Sequence, residues 1–299
     1  MKKVTVRSPA TTANLGPGFD CIGMALDLWN ELTVQHGEFC VTTKGEGAGE
    51  LPDDSRNLVV TGVEAAFIAA GKKLPELQYI CHNVVPHGRG LGSSSAAIVS
   101  GIIAGAALAG IELDRPGLVS IAADLEGHPD NVSPAVYGGC TVGVHDGKEW
   151  IIDTVDLPED IHAVLYVPEQ QVNTHESRAR LPDQVTRSDA IYNIGRSAML
   201  VNALANDRLD LLKHATQDRL HQPMRGQVFP AMHRIIEAAM NGGAYGAFLS
   251  GAGPSVLAIT RGREVTVSYE MREAARISEV AGECMILAPS RRGAYVVAE

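Results

Sequence analysis

The stretch VPHGRGLGSSSAAIVSGIIAGAAL, residues 85–108, restricts the fold more than any other part of the chain. Gly88, Gly90 and Gly92 lack the Cβ atoms that would keep a ligand away from the backbone, and three serines follow them. An uncharged run of small apolar residues comes next, and its spacing predicts a buried helix. The first turn of such a helix has N–H groups without intrahelical partners and carries partial positive charge. The stretch therefore predicts a binding site for phosphate or another anion at the start of a helix.

Two common nucleotide-binding motifs do not account for this turn. A Walker A loop requires G-x-x-x-x-G-K-[ST], and the nearest approach, Gly71-Lys72, has Ala66 in place of the first glycine. The dinucleotide fingerprint fails because Ser93 stands where its third glycine is required. Two other interpretations remain open. One is a serine-capped turn that binds nothing, and the other is a nucleophile elbow with GSSSA in place of G-x-S-x-G.

Composition excludes several classes of protein. A chain of 299 residues, of which 45% are hydrophobic, is long enough for two domains of ordinary size. The net charge is -10 and basic residues do not cluster, which argues against nucleic acid or a membrane as partner. Five scattered cysteines without a C-x-x-C pair, and an N-terminus without the apolar core of a signal peptide, indicate a cytoplasmic protein. We therefore expect small-molecule ligands.

Strand and helix patterns alternate in both halves of the chain. In the first half we predict strands at 4–7, 31–35, 39–43 and 78–84, a hairpin turn at 146–147, and helices at 58–70, 94–108 and 116–125. In the second half we predict strands in IHAVLYVP, AFLSG, SVLAIT and GAYVVA, and helical regions at 188–216, 230–240 and 264–280. This interleaving predicts an α+β fold with two domains, residues 1–157 and 158–299.

Two further segments combine glycines with polar residues. SPATTANLGPGFDCIG, residues 8–23, places Asn14 and Asp20 around a Gly-Pro-Gly turn. FLSGAGPSVLAI, residues 248–259, has a glycine-rich turn between two apolar strands, and this turn is more permissive than a hairpin requires. Close approach of the backbone to a ligand explains this second turn better, and a plain chain reversal stays open as the alternative.

Together the three segments resemble the GHMP kinases, a family named after galactokinase, homoserine kinase, mevalonate kinase and phosphomevalonate kinase. The central family motif P-x-x-x-G-L-G-S-S-A is similar to PHGRGLGSSSA here, with one extra serine, and SGAGPSV is similar to the C-terminal motif. The resemblance covers essentially the whole chain. It implies a two-domain GHMP-kinase-like fold: an N-terminal ATP-binding α/β domain with a mixed sheet, and a C-terminal ferredoxin-like α+β sandwich.

The resemblance also implies ATP and Mg²⁺ as cofactors. It assigns Mg²⁺ to Ser94 and Glu126; without it, Glu126 would be interpreted as a solvated carboxylate at a helix end. It assigns ATP binding to the whole glycine-rich turn, namely Pro86, His87, Gly88, Arg89, Gly90, Leu91, Gly92, Ser93, Ser94, Ser95 and Ala96.

Within the family, PATTANLGPGFDCIGMALDL, LEGHPDNVSPAVYGG and NTHESRARLP are most similar to the members that act on homoserine. This implies phosphorylation of the side-chain hydroxyl of L-homoserine to O-phospho-L-homoserine, a step of threonine biosynthesis. The planar fork of arginine suits the substrate carboxylate, although a single arginine is more often part of a surface ion pair. The substrate-binding residues implied are Asn14, Asp20, His128, Arg178, Arg225 and Gly251.

The resemblance implies catalytic roles for Asn131, His128 and Arg178. Family members that act on mevalonate or galactose carry an aspartate as apparent base, whereas this chain has Asn131, and an amide does not accept a proton at neutral pH. Asp130 is adjacent, but we expect it to point elsewhere. We therefore expect catalysis by positioning and electrostatic stabilisation.

Three alternatives remain open from the sequence. GHPDN could be part of a transition-metal site, but a His and an Asp two residues apart lack the other ligands. The chain could be another kinase of this fold, acting on mevalonate, diphosphomevalonate or shikimate. It could also be a non-catalytic ligand-binding regulator, although a regulator has no need of a carboxylate for magnesium. The sequence leaves a homodimer open.

Overall fold

The structure, a computed structural model, describes residues 2–298 apart from the side chains of Thr174 and His175. Elements of the first half, in chain order, are β1 (Lys3–Ala13), β2 (Ile22–His36), β3 (Cys40–Gly45), α1 (Leu58–Ala69), β4 (Leu77–Asn83), α2 (Ser93–Ala109), α3 (Arg115–Glu126), α4 (Val132–Tyr137), β5 (Cys140–His145) and β6 (Trp150–Val155). Elements of the second half are β7 (His162–Pro168), α5 (Thr174–Ala179), α6 (Arg187–Ala205), a 3-10 turn (Leu209–Leu211), α7 (Leu212–Ala215), α8 (Gln222–Val228), α9 (Ala231–Asn241), β8 (Gly246–Leu249), β9 (Val256–Thr260), α10 (Glu264–Ile277), β10 (Gly282–Leu287) and β11 (Tyr295–Val296).

The long strand β2 organises the first sheet. One edge of β2 pairs with β1 along its length. The other edge pairs with β5 near Ile22 and with β4 between Glu31 and His36. Strands β3 and β4 are parallel, and the remaining pairs among the described strands are antiparallel. The first sheet is therefore mixed, as predicted.

Helices α1 and α2 pack against each other with their backbones in close contact. A Cβ atom on Gly101 of α2 would lie 2.5 Å from the Val59 carbonyl oxygen of α1. A Cβ atom on Gly62 of α1 would lie 2.5 Å from the Ile98 carbonyl oxygen of α2. Glycine at these positions lets the two helices lie close enough together to cover one face of the sheet. This packing is why the small apolar run after the three serines forms a buried helix.

The second sheet has the strand order β10-β7-β9-β8, and its neighbouring strands are antiparallel. Numbered within this half, the order is 4-1-3-2, which is that of the ferredoxin-like fold and confirms the prediction. Helices α9 and α10 bury Met232, Ile235 and Met271 against this sheet.

A shared hydrophobic core joins the two halves. Leu26 of β2, Leu165 of β7, Leu204 of α6 and Phe248 of β8 belong to one buried cluster. The chain also returns to the first sheet at its end, because β11 pairs with β1. The domain division at residues 157 and 158 stays a prediction. Among the described residues, no helix has the length and apolar character needed to cross a membrane.

Most of the predicted elements are present, but several short ones were missed. The helical region predicted at 188–216 is interrupted after Ala205, because Asp207 adopts a left-handed backbone conformation with φ of 52°. The short helices α4, α5 and α8 and the strand β10 were not predicted. A helix of 6 or 7 residues has too few positions for a periodic pattern to be distinguished from a loop.

We predict different effects of the same substitution on the stability of the protein at two helix positions. Gly101→Ala should destabilise the protein by about 1–3 kcal/mol, because the new methyl group meets backbone rather than a movable side chain. The matched control is Gly195→Ala in α6, where a Cβ atom meets nothing within 4 Å. This change should be neutral or stabilise by up to about 1 kcal/mol, since alanine favours a helix over glycine.

Urea unfolding midpoints of the two variants decide the matter. Equal midpoints in the Gly101 and Gly195 variants would contradict the close helix contact.

Candidate active site

The three glycine-rich segments of the sequence meet at one place. Ser250 Oγ donates a hydrogen bond of 2.6 Å to the Gly90 carbonyl, and the Gly251 N–H donates to the Ala13 carbonyl at 3.2 Å. The Thr11 N–H donates to the Leu91 carbonyl at 3.1 Å. A Cβ atom on Gly90 would lie 2.1 Å from the Ser250 carbonyl oxygen. The segments are therefore in backbone contact, and glycine is required for it at residue 90.

The N-terminus of α2 lies at a cavity of about 370 Å³. Its N-cap, Gly92, has a left-handed φ of 67°, and no side chain in the described part of the protein caps it. The first N–H groups of α2 are thus available to an anion. The predicted ATP-binding residues that line this cavity are Pro86, His87, Gly88, Gly90, Leu91, Gly92, Ser93 and Ser94.

The other three predicted ATP-binding residues do not line the cavity. Arg89 turns towards Glu46, with 3.4 Å between Nη1 and Oε2. Ser95 and Ala96 are fully buried in the body of α2. For Ser95 and Ala96, helix periodicity explains the difference, because successive residues of a helix point in different directions.

Glu126, the last residue of α3, lies beside the start of α2. Ser94 Oγ donates to Glu126 Oε1 at 2.7 Å, and Ser95 Oγ donates to the same oxygen at 3.0 Å. Within the described residues, the other carboxylate oxygen has no hydrogen bond and is available to a cation. Carboxylate and hydroxyl oxygens in small number are a donor set that fits Mg²⁺, which retains several waters when bound.

The predicted substrate-binding residues form a cluster next to this cavity. Asn14 Nδ2 donates to the Gly251 carbonyl at 3.1 Å, and Asn14 Oδ1 accepts from the Asp20 N–H at 3.0 Å. Arg225 Nη1 donates to the same Gly251 carbonyl at 2.6 Å. Gly251 itself lines the cavity, so it connects the cluster with the anion site.

Arg178 and Asp20 form an ion pair in this cluster. Arg178 Nη1 lies 2.8 Å from Asp20 Oδ2, and Nη2 contacts the other carboxylate oxygen, so the contact is bidentate. Burial opposes the charged form of Arg178, but the hydrogen bond and charge of Asp20 outweigh it and raise the pKa of the guanidinium. The Phe19 ring lies 5.4 Å from the Arg178 guanidinium and 5.6 Å from that of Arg225. Both cations therefore face one aromatic ring.

Arg225 is 7% exposed and is the more buried of the two arginines. Burial, together with the nearby charge of Arg178, lowers its pKa to about 10. A guanidinium with this pKa is still protonated at neutral pH. The cluster thus offers one carboxylate and two cations, which is the arrangement that complements a small zwitterion.

His128 and Asn131 also line the cavity, and Asp130 lies between them in sequence. His128 Nδ1 lies 2.6 Å from Asp130 Oδ1. Burial opposes protonation of His128, but the hydrogen bond and charge of Asp130 prevail and raise its pKa. Asn131 Oδ1 accepts a hydrogen bond of 2.8 Å from Thr11 Oγ1, which fixes the orientation of the amide.

Asp130 was expected to point away from the site, and this expectation was wrong. Its buried carboxylate bonds His128, and ligand atoms of Asp20, His128 and Asp130 all lie within 4.8 Å of one another. Asp20 and Asp130 already bond Arg178 and His128, so this cluster is accounted for by ion pairs without a metal.

Sequence reasoning also missed Thr11, Phe19 and His221. Thr11 and Phe19 lie in the N-terminal segment 8–23, but threonine and phenylalanine often have purely structural roles, so nothing in that segment marked them as functional. His221 stands four residues before Arg225, a helical spacing that brings two side chains together, and this was the signal available.

Comparison with known proteins identifies the family. Residues 57–139 match the family model of the GHMP kinases N terminal domain, and residues 199–277 match that of the GHMP kinases C terminal. The chain is 40% identical over 296 residues to the homoserine kinase of Desulfitobacterium hafniense, covering 98% of this chain and 100% of that relative. It is 41% identical over 297 residues to the homoserine kinase of Moorella thermoacetica, covering 98% and 99%.

A crystal structure of homoserine kinase from Cytophaga hutchinsonii has the same fold. Its TM-score is 0.89 at 26% identity, and the match covers 99% of this chain and 98% of that one. These similarities extend along both halves of the chain and confirm the two-domain fold with a mixed first sheet. The chain therefore belongs to the GHMP kinase family.

Proposed function

We propose that this protein transfers the γ-phosphoryl group of ATP to the side-chain hydroxyl of L-homoserine. Relatives about 40% identical over nearly the whole chain are homoserine kinases. The observation that carries the proposal is the position of the cluster of Asp20, Arg178 and Arg225 beside the free N-terminus of α2. A phosphate site next to a site for a zwitterion is what a kinase acting on an amino acid requires.

The glycine-rich turn and the first turn of α2 bind the phosphates of ATP. N–H groups and serine hydroxyls there stabilise the charge that spreads over the phosphoryl oxygens during transfer. Ser94 and Glu126 would hold Mg²⁺, which neutralises phosphate charge when bound. The remaining catalytic contribution of this chain is to hold the hydroxyl of the substrate in line with the phosphoryl group.

The substrate cluster orients homoserine through its two charged groups. The substrate carboxylate binds Arg178 and Arg225, whose guanidinium groups face the same Phe19 ring. The substrate ammonium binds Asp20. In the unliganded protein, Asp20 and Arg178 satisfy each other, so the substrate replaces an internal ion pair by two contacts of the same kind.

Asn131 is a positioning group for the hydroxyl rather than its base. Its Oδ1 atom accepts a hydrogen bond from Thr11, and the lone pair of an amide nitrogen is delocalised into the carbonyl, so the amide takes no proton at neutral pH. The hydroxyl proton then leaves to a phosphate oxygen or to water. A largely dissociative transfer needs little activation of the attacking oxygen, so this route is sufficient.

Cytoplasmic location stays a prediction, as does each residue role given above. The homodimer that the sequence leaves open stays untested as well.

The function is tested by a panel of acceptor substrates. A coupled assay of ADP release should give high kcat/KM with L-homoserine and low values with mevalonate and shikimate. Mevalonate and shikimate carry a carboxylate but no ammonium group, so they leave the Asp20 carboxylate without its partner. Preference for mevalonate or shikimate would favour another kinase of this fold, and no turnover of any acceptor would favour the binding-only alternative.

The magnesium role is tested with Glu126→Gln. The variant should lose turnover by about a hundredfold or more at low magnesium, and added magnesium should restore part of it by mass action. Asp124→Asn is the matched control, because Asp124 is exposed on the same helix and bonds Trp150 instead. Rates measured against magnesium concentration give the answer, and wild-type behaviour of the Glu126 variant would remove Glu126 from the site.

The carboxylate role is tested with Arg225→Lys. A lysine ammonium cannot reproduce the planar fork, so kcat/KM for homoserine should fall on the order of a hundredfold, mainly through KM. Arg219→Lys is the control, since Arg219 is half-exposed in the same segment and faces Asp189. Steady-state kinetics on both variants would show the difference; an unchanged KM for homoserine in the Arg225 variant would contradict the assignment.

A further inference from the structure

His221 is fully buried between the N-terminal glycine-rich loop and α8. Its Nε2 atom lies 2.8 Å from the Gly16 carbonyl oxygen, and its Nδ1 atom lies 3.0 Å from Arg225 Nη1. The Phe19 ring stacks on the imidazole, with 5.2 Å between ring centroids. One side chain thus contacts both the loop and the arginine of the substrate cluster.

The two partners of His221 determine where its proton is. A carbonyl oxygen only accepts, so Nε2 carries the hydrogen and donates it to Gly16. A guanidinium only donates, so Nδ1 is unprotonated and accepts from Arg225. Burial, together with the charge of Arg225, lowers the pKa of His221 to about 4 although Asp218 opposes this, so the ring is neutral at physiological pH.

Asp218 does not replace the Gly16 carbonyl as the acceptor of the hydrogen bond from His221 Nε2. Its Oδ2 atom lies 3.5 Å from Nε2, which is longer than the bond to Gly16. The two carboxylate oxygens accept from the N–H groups of His221 and Gln222 and from Asn193 Nδ2 at 2.7 to 3.0 Å. Asp218 therefore holds the start of α8 and leaves the imidazole bonded to the loop.

These bonds fix Arg225 relative to the rest of the substrate cluster. Arg225 Nη1 donates one hydrogen bond to the Gly251 carbonyl and one to His221 Nδ1. The Arg225 Nε atom has no hydrogen-bond partner among the described residues. Gly16 belongs to the loop that carries Asn14 and Asp20. Movement of the loop relative to α8 would therefore break a bond of His221.

We propose that neutral His221 is a positioning residue, which fixes the Arg225 guanidinium for the substrate carboxylate and ties it to the loop bearing Asn14 and Asp20. The proposal rests on the function proposed above, in which Arg225 binds that carboxylate. His221 does not itself contact the substrate.

Two variants separate the two bonds of His221. The oxygen of an asparagine lies near the place of Nδ1, so His221→Asn keeps an acceptor for Arg225 and loses the bond to Gly16. The amide of a glutamine lies near the place of Nε2, so His221→Gln keeps a donor for Gly16 and loses the acceptor. We expect KM for homoserine to rise about tenfold to a hundredfold in His221→Gln and by about threefold or less in His221→Asn.

Three readouts distinguish positioning from general damage. KM for ATP should be unchanged in both variants, because the anion site at α2 is intact. Turnover of 3-aminopropan-1-ol, which is homoserine without its carboxylate, should be equal in His221→Gln and wild type. Combining His221→Gln with Arg225→Lys should raise KM no further than Arg225→Lys alone, since both changes act through the same contact.

Several results would overturn the proposal. Equal homoserine KM values in the two His221 variants, with a raised KM in Arg225→Lys, would remove the role of His221 and leave the carboxylate clamp standing. An unchanged KM in Arg225→Lys would overturn both the clamp and the role of His221. An equal loss with 3-aminopropan-1-ol would show an effect unrelated to the carboxylate.

A measurement on the wild-type protein needs no folded variant. Nitrogen NMR of protein labelled at histidine should show His221 as the neutral tautomer with hydrogen on Nε2 from about pH 5.5 to about pH 8. Its Nδ1 signal should shift when homoserine is added. A hydrogen on Nδ1, or a doubly protonated ring in this range, would overturn the proposed bond to Arg225.

Discussion

Backbone contact between segments from the two halves of the chain is the constraint on which the candidate site depends. A Cβ atom on Gly90 would lie 2.1 Å from the Ser250 carbonyl oxygen of the second half, and within the first half a Cβ atom on Gly92 would lie 1.8 Å from Thr11 Oγ1. A side chain at either glycine would push the segments apart, because the opposing atoms belong to paired strands and their turns. The contact therefore sets the distance between the anion site and the substrate cluster.

Charge balance is the second condition that the site satisfies. A buried cation without a partner is costly, and the buried Arg225 lies near a second cation, the more exposed Arg178. Asp20 neutralises Arg178, while Arg225 is stabilised by the Gly251 carbonyl and by the neutral ring of His221. Asp20 and Arg178 pair with each other when the site is empty. A zwitterion that binds there would replace this ion pair by its own two charged groups and leave none of these charges unpaired.

The sequence predicted the glycine turn and the start of α2 for a local reason, while anion binding there stays a prediction. The residues at the start of α2 follow one another in the chain, and a helix presents its first N–H groups whatever surrounds it. The same locality limited the prediction, since Ser95 and Ala96 are in the motif but are buried and do not line the cavity. Asp130 was not assigned because its contact with His128 depends on a turn whose direction no pattern in the sequence gives. His221 was missed because its four-residue spacing from Arg225 has meaning only on a helix, and the short α8 was not predicted.

By itself, the sequence determined the family, the glycine-rich turns and most of the strands and longer helices, because short motifs and apolar periodicity depend on neighbouring residues. Only the tertiary structure decided that β11 returns to the first sheet and that the Arg178 guanidinium pairs with Asp20. Those contacts join residues up to 290 positions apart along the chain, since Val296 of β11 pairs with Val6 of β1. Their geometry follows from how the two halves pack on their shared core, and no local stretch of sequence contains that information.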